Sequence, residues 1–277
     1  MFSCISQGRG LLRRVSVRGL LDLIHVIEWD IMKLKHQTLF VAMRTTWFIL
    51  QVIVFGTTIS MLVRYSQGFN YYDFYLLGVF TSLIYSVSIA RGYEIADEFD
   101  EGIIEYHLAL PVKRSTLALG RVLGGSISSF LFTLPMFIFI MILVQPGSLL
   151  WIPVSLVAIY LFSAGVVGMA VTIVLSVKST DATDILMGVI DALLIRLSTV
   201  FYPAPILAKI MPYYYSALIN PVTSLSDFLR VLFLPEYVVY TSLPPQAQIA
   251  YIVGLAVGFS YLAIYIVSHK LEAGGWR

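Results

Sequence analysis

Arg91–Arg121 reads RGYEIADEFDEGIIEYHLALPVKRSTLALGR and divides a chain that is otherwise mostly apolar. Six carboxylates, Glu94, Asp97, Glu98, Asp100, Glu101 and Glu105, fall within twelve positions, followed by Pro111 and the basic pair Lys113 and Arg114. Long apolar runs lie on both sides. A charged side chain at the centre of a bilayer costs roughly 2.5–3.5 kcal/mol on insertion scales, so this stretch must leave the hydrocarbon. It is a polar hinge between two membrane spans, and the rest of the chain is read outward from it.

The flanking runs predict spans over residues 74–90 and 118–144, the second with Pro135 inside it and a kink expected there. Further out, apolar runs predict spans at 45–63, 149–176, 185–201 and 249–267, each near the ~20 residues that a bilayer requires. Gln145-Pro146-Gly147 reads as a tight turn. Residues 202–248 hold seven prolines among apolar and aromatic side chains, too many for one straight span. Short re-entrant helices at the outer membrane edge fit that composition. At the other end, residues 1–16 carry Arg9, Arg13 and Arg14 without an acid and read as a basic, partly disordered tail. Leu20, Ile24, Ile27, Ile31 and Leu34 then recur at helical spacing within 17–39, which predicts an amphipathic helix in the membrane interface. The tail and this helix make one unit, 1–44, and the six-span domain occupies 45–277. The fold class is an all-α polytopic membrane protein.

Composition agrees. Hydrophobic residues make up 58% of the chain and charged ones 12%, with a mean hydropathy of +0.86, whereas soluble domains carry about 25% charged residues. A formal charge of +2 gives no basis for nucleic-acid binding, and none is expected. Cys4 is the single cysteine, which excludes a disulfide framework within one chain. His25, His36, His107 and His269 form no two-histidine metal spacing. With both termini on one side, fourteen Lys and Arg lie on that side and three, Arg64, Lys209 and Arg230, on the other, with Arg196 inside a span. The positive-inside rule places both termini and the hinge in the cytoplasm of a multi-pass plasma-membrane protein.

Few motifs point to chemistry within the chain. Gly120 to Ser126 has the glycines of a phosphate loop, but Ser126 stands where the lysine belongs and an apolar run follows. Gly124 to Ser128 lacks the second glycine and histidine partner of a serine nucleophile elbow. Gly120 and Gly124, and likewise Gly254 and Gly258, are spaced for close helix packing. Asp191 and Arg196 lie inside the expected fifth span. They read either as groups lining or gating a route, or as buried anchors between helices. Tyr213, Tyr214 and Tyr215 fit an interfacial aromatic belt better than a sugar-handling exit.

Taken in order, Glu101, Gly102, Glu105, Pro111, Arg114, Gly120 and Arg121 resemble the cytoplasmic segment of type-2 ABC exporter permeases. Phe201, Pro203, Pro205, Asn220, Pro221 and Arg230 are similar to that family's outer segment. Arg121 stands where lysine is more usual, and no glycine precedes Phe201. The resemblance implies a transmembrane half that pairs with a second permease, identical or not, and docks a separate ATP-hydrolysing subunit. Glu94, Asp97, Glu98, Asp100, Glu101, Gly102 and Glu105 would form its coupling helix, running from Glu94 to about Leu110. Lys178, Asp181 and Asp184 would make a second cytoplasmic contact, and the amphipathic helix would be the interface helix. Asp191, Arg196, Pro203, Pro205, Asn220 and Pro221 would lie along the route or its gate. ATP and magnesium would bind the partner, with no cofactor on this chain. A secondary transporter coupled to an ion gradient through Asp191 is the competing reading. An intramembrane enzyme is a third, without a credible catalytic set.

Overall fold

The computed structural model describes the backbone of residues 3–63, 70–146, 148–177 and 179–270. Among the described residues it is all-helical, with 88% helix and no strand. In chain order the helices are α1 (Ser3–His36), α2 (Thr38–Leu50), a π turn (Gln51–Phe55), α3 (Gly56–Val63), α4 (Tyr71–Asp100), α5 (Ile103–Ala109) and α6 (Arg114–Val144). A 3₁₀ turn (Leu149–Trp151), α7 (Ile152–Val177), α8 (Thr180–Arg196), α9 (Ala204–Leu207), α10 (Met211–Leu218) and α11 (Pro221–Phe233) come next. A second 3₁₀ turn (Pro235–Tyr240) and α12 (Pro245–Lys270) complete the chain.

Five of the described helical stretches are long and apolar enough to cross a membrane: Val41–Met61, Tyr71–Glu98, Arg114–Val144, Leu149–Val177 and Pro245–His269. The chain thus has the character of a multi-pass membrane protein. The expected span at 185–201 takes a different form. Its helix, α8, begins at Thr180, where the Ser179 hydroxyl accepts from the Ala182 N–H (3.4 Å), and stops at Arg196. Its 17 residues rise ~25 Å, short of a ~30 Å hydrocarbon core. Residues 197–203 turn away because Ser198 and Thr199 are buried and Thr199 bonds to α11.

At 30 residues α4 rises ~45 Å and overshoots the hydrocarbon, carrying its acidic end out as a continuation of the span. This corrects the expectation of one docking helix from Glu94 to Leu110. The break falls at Gly102, whose φ of +71° lies in the left-handed region that stops a helix and favours glycine. Only the seven residues of α5 then lie between Gly102 and the extended Leu110, held out of helical geometry by Pro111. Pro135 is accommodated without dividing α6. Gln145 at its C-terminus has φ +47°, in the left-handed region, and Gly147 of the expected turn lies outside the described residues. At the other end of the chain, α1 runs back to Ser3, so the backbone of the basic tail is helical.

The core gathers around α4 and α7. Phe74, Leu77, Phe80 and Ile84 of α4 meet Phe137 of α6, Phe162 of α7 and Leu225 and Leu229 of α11. Glycines set the closest approaches. A Cβ on Gly165 would fall 2.8 Å from the Leu255 side chain, and one on Gly168 would fall 2.8 Å from the Phe259 backbone, so α7 and α12 touch nearly backbone to backbone. The stretch from α2 to α3 packs by one edge, through Phe48 and Val52, and leaves Met43, Trp47 and Phe55 exposed.

Candidate functional site

The hinge carboxylates separate into two populations. Glu94 and Glu98, one turn apart on α4, face inward and join a charge network with α1 and α6. The Lys33 ammonium donates to Glu98 Oε1 at 2.5 Å and lies 3.6 Å from Glu94 Oε2. Arg121 Nη2 donates to the same Glu98 oxygen at 2.7 Å, while Nη1 donates to Asp30. Arg91 Nη1 donates to Glu94 Oε1 (2.5 Å) and to Gln37 Oε1 (2.8 Å). Three acids, Asp30, Glu94 and Glu98, thus meet three cations, Lys33, Arg91 and Arg121, and charge balances within the cluster. Asp30, Glu98, Arg91 and Arg121 are all buried. Such a network adds little net stability over apolar packing, yet losing one member strands a charge and costs about 3–5 kcal/mol.

Burial raises Asp30 to about 6, against the opposing pull of Arg121 and Lys33. His107 of α5 closes the network from below, its ring edge-on to Trp29 with centroids 5.6 Å apart. Its Nδ1 lies 3.9 Å from Glu98 Oε2, beyond hydrogen-bonding range, and neither atom has a partner among the described residues. Burial lowers the His107 pKa, with Arg121 and Lys33 acting in the same sense and Glu98 against it.

Asp97, Glu101, Gly102 and Glu105 are exposed. The backbone of Asp100 ends α4, and its side chain lies outside the described residues. Tyr106 is 68% exposed and Leu110 39%, so an aromatic and an aliphatic side chain follow Glu105 on the open side of the hinge. Of the expected second contact, Lys178 lies outside the described residues and Asp181 stands exposed in the first turn of α8. Asp184 reaches the hinge, accepting a hydrogen bond from the Tyr93 hydroxyl of α4.

At the opposite end of the bundle, Asn220 and Pro221 are capping residues. Asn220 Oδ1 accepts from the Val222 N–H (2.9 Å) at the start of α11, and its Nδ2 donates to the Leu194 carbonyl (2.7 Å) in the last turn of α8. Two sets of otherwise unpaired backbone groups are satisfied by one side chain. Pro221 occupies the first turn, where no N–H is needed. Pro203 caps α9 and Pro205 sits in its first turn. Arg196 is exposed at the C-terminus of α8, where a cation is favoured. Asp191 is half-buried in the middle of α8, and the cation acting on it is Arg44 of α2.

Sequence reasoning placed Arg230 on the outer side, and the structure buries it completely. Its guanidinium donates to the carbonyls of Thr199 and Val200 (both 2.8 Å) and Phe74 (3.0 Å) and to Asp227 Oδ1 (3.3 Å). It also stacks over Phe74, 3.5 Å from the ring centroid. The Ser242 N–H and hydroxyl donate to the other Asp227 oxygen, so the pair joins α4, α11 and two connecting segments. The residues missed in the hinge, Asp30, Lys33 and Gln37, repeat at three and four, as do Arg91, Glu94 and Glu98. That polar stripe was the available signal. Among the described residues no His, Cys, Asp or Glu group is placed to hold a metal ion. No family model matches this chain, and no curated protein matches it.

Proposed function

We propose that this chain is the membrane-spanning permease subunit of an ABC exporter, paired with a second permease and driven by ATP hydrolysis on a separate nucleotide-binding subunit. The observation that supports this reading most is the construction of the hinge. Two long helices, α4 and α6, extend past the apolar zone and are joined by a turn and the short α5, which together present Glu101, Glu105 and Tyr106 outward. Behind α5 the charge network ties the same two helices to α1. A partner pressing on α5 acts on a braced three-helix unit, the form of coupling that passes a rigid displacement into span tilting. The exposed acids favour a basic-rimmed groove, which improves orientation and association rate.

In this reading both termini and the hinge face the cytoplasm of the plasma membrane, and α1 is the interface helix. The short α8 serves as a fifth crossing of six, completed by the capped turn at 197–203. The helices α9 to α11 close the outer end. ATP and magnesium bind the partner. Asp191, on which Arg44 acts, is the acid that a gradient-driven transporter would use, and Asp191→Asn tests that alternative: transport abolished with ATPase turnover intact would favour it.

The decisive experiment co-expresses the full chain with the candidate ATPase subunit, one carrying G-x-x-x-x-G-K-[ST]. Glu101→Lys with Glu105→Lys is expected to abolish co-purification while membrane insertion and thermal stability stay unchanged. The chain purified alone is expected to hydrolyse no ATP. Turnover by the pure subunit, or unchanged partner binding in the double variant, overturns the assignment.

A further inference from the structure

A cleft of ≈ 560 Å³ opens between the α1–α2 joint, the hinge end of α4 and the first half of α8. Gln37, Arg44, Ser86, Ala90, Asp184 and Met187 are among its walls. Along α4 it extends from Ser86 to Asp97, ~16 Å of helix. Charge is sorted along that length. The carboxylates of Glu94, Asp97 and Asp184 stand at the hinge level, where Gln37 bonds Arg91. Arg44 lies seven residues further along than Gln37, ~10 Å deeper, and is the cation acting on Asp191. Among the described residues Arg44 has no hydrogen bond and no ion pair within 4.0 Å. Arg91, by contrast, is committed to Glu94 and Gln37.

On the two helices that carry Arg44 and Met187, nearby apolar side chains are uncovered: Met43 (65%) and Trp47 (64%) on α2, Val189 (52%) and Leu193 (51%) on α8. A ligand for this site needs an anion at the deep end, a cation at the shallow end and an apolar tail continuing past the anion. Guanidinium groups hold phosphate oxygens in a two-pronged geometry. A primary ammonium supplies three N–H donors to carboxylates, which a quaternary amine cannot. Free phosphate meets three carboxylates at the mouth before it reaches Arg44.

We propose that this cleft seats the headgroup of a phospholipid with a primary amine, Arg44 holding its phosphate and the carboxylates of Asp184 and Asp97 its ammonium, with the acyl chains against α2 and α8. The inference is independent of the exporter reading, because a resident lipid and a cargo lipid use the same contacts.

The test is native mass spectrometry of the delipidated full chain in detergent, titrated in parallel with phosphatidylethanolamine, phosphatidylcholine, phosphatidylglycerol and inorganic phosphate. Phosphatidylethanolamine is expected to be retained at least tenfold better than the other two lipids. Arg44→Gln lowers its retention about tenfold, and Arg44→Lys, which keeps the charge and the fold, lowers it severalfold. Asp184→Asn weakens phosphatidylethanolamine and leaves phosphatidylglycerol unchanged. Lys209→Gln, which removes an exposed lysine elsewhere, changes neither. Retention unaffected by both Arg44 variants, or equal retention of the three lipids, overturns the site. Millimolar phosphate displacing the lipid makes it a free-anion site and overturns the lipid assignment. A changed oligomeric state in Arg44→Gln, with lipid retention intact, assigns the cleft to a second copy of the chain and also overturns it.

Discussion

Arg230 shows that a charge beyond the spans can be buried inside the protein instead of left in water. Its donors are divided among three backbone carbonyls and Asp227, and its plane is covered by Phe74. Arg230→Ala is expected to cost about 3–5 kcal/mol, because Asp227 becomes an unpaired buried charge. Arg230→Lys should recover only part of this, since a point charge cannot span three carbonyls. Thermal melts in detergent check both. At the hinge, two titrating groups act in opposite senses. The folded-state pKa of Asp30, about 6, is above its unfolded value of 3.8, so its contribution rises on acidification and is lost as pH climbs through about 6. His107 is lowered below 6.5, so its contribution is intact above 6.5 and falls as pH drops. Between pH 7 and 5, the Tm difference between wild type and Asp30→Asn should widen in favour of wild type, and that between wild type and His107→Gln should shift against it.

Helix contacts depend on whether a glycine face is occupied. Gly120 and Gly124 were expected to serve close packing, and they do: a Cβ on Gly120 would meet Val26 at 2.6 Å, and one on Gly124 would meet Asp30 Oδ2 at 2.5 Å. These glycines are where α1 crosses α6 and where Asp30 reaches Arg121. Gly124→Val should detach α1, seen as faster proteolysis near the α1–α2 joint. Gly254 and Gly258, with the same spacing, face open space within the monomer. Gly254→Ala is expected to leave proteolysis unchanged and stability within about 1 kcal/mol, the difference in helix propensity. The contacts that join α7 to α12 instead use Gly165 and Gly168, three apart, which no spacing argument singled out.

For the whole molecule, the hinge is both brace and exposed face, and the two can be separated by charge reversal. Glu98→Lys places a third cation between Lys33 and Arg121 in a buried site, so the protein should lose stability or fail to accumulate. Glu105→Lys, on the open side of α5, should leave the melting temperature unchanged. A fall in Tm for Glu105→Lys equal to that of Glu98→Lys would contradict the two-population description. On the proposed function, the second variant alone should impair the ATPase partner's binding.

The amino-acid sequence determined that the chain is helical and membrane-spanning, where five of its apolar stretches run, and that a charged hinge interrupts them. Hydropathy and the cost of burying charge are local, additive properties, so they can be read along a line. The tertiary structure decided which carboxylates stay outside. Glu98 and Glu105 are seven residues apart in one acidic run, yet Gly102 turns the chain between them and Lys33 and Arg121 draw only the first inward. It also decided that α8 ends at Arg196, because Thr199 bonds across to Thr223 and Asp227 while Asn220 closes its last turn. Those partners lie more than twenty residues away, and no window of local pattern contains them.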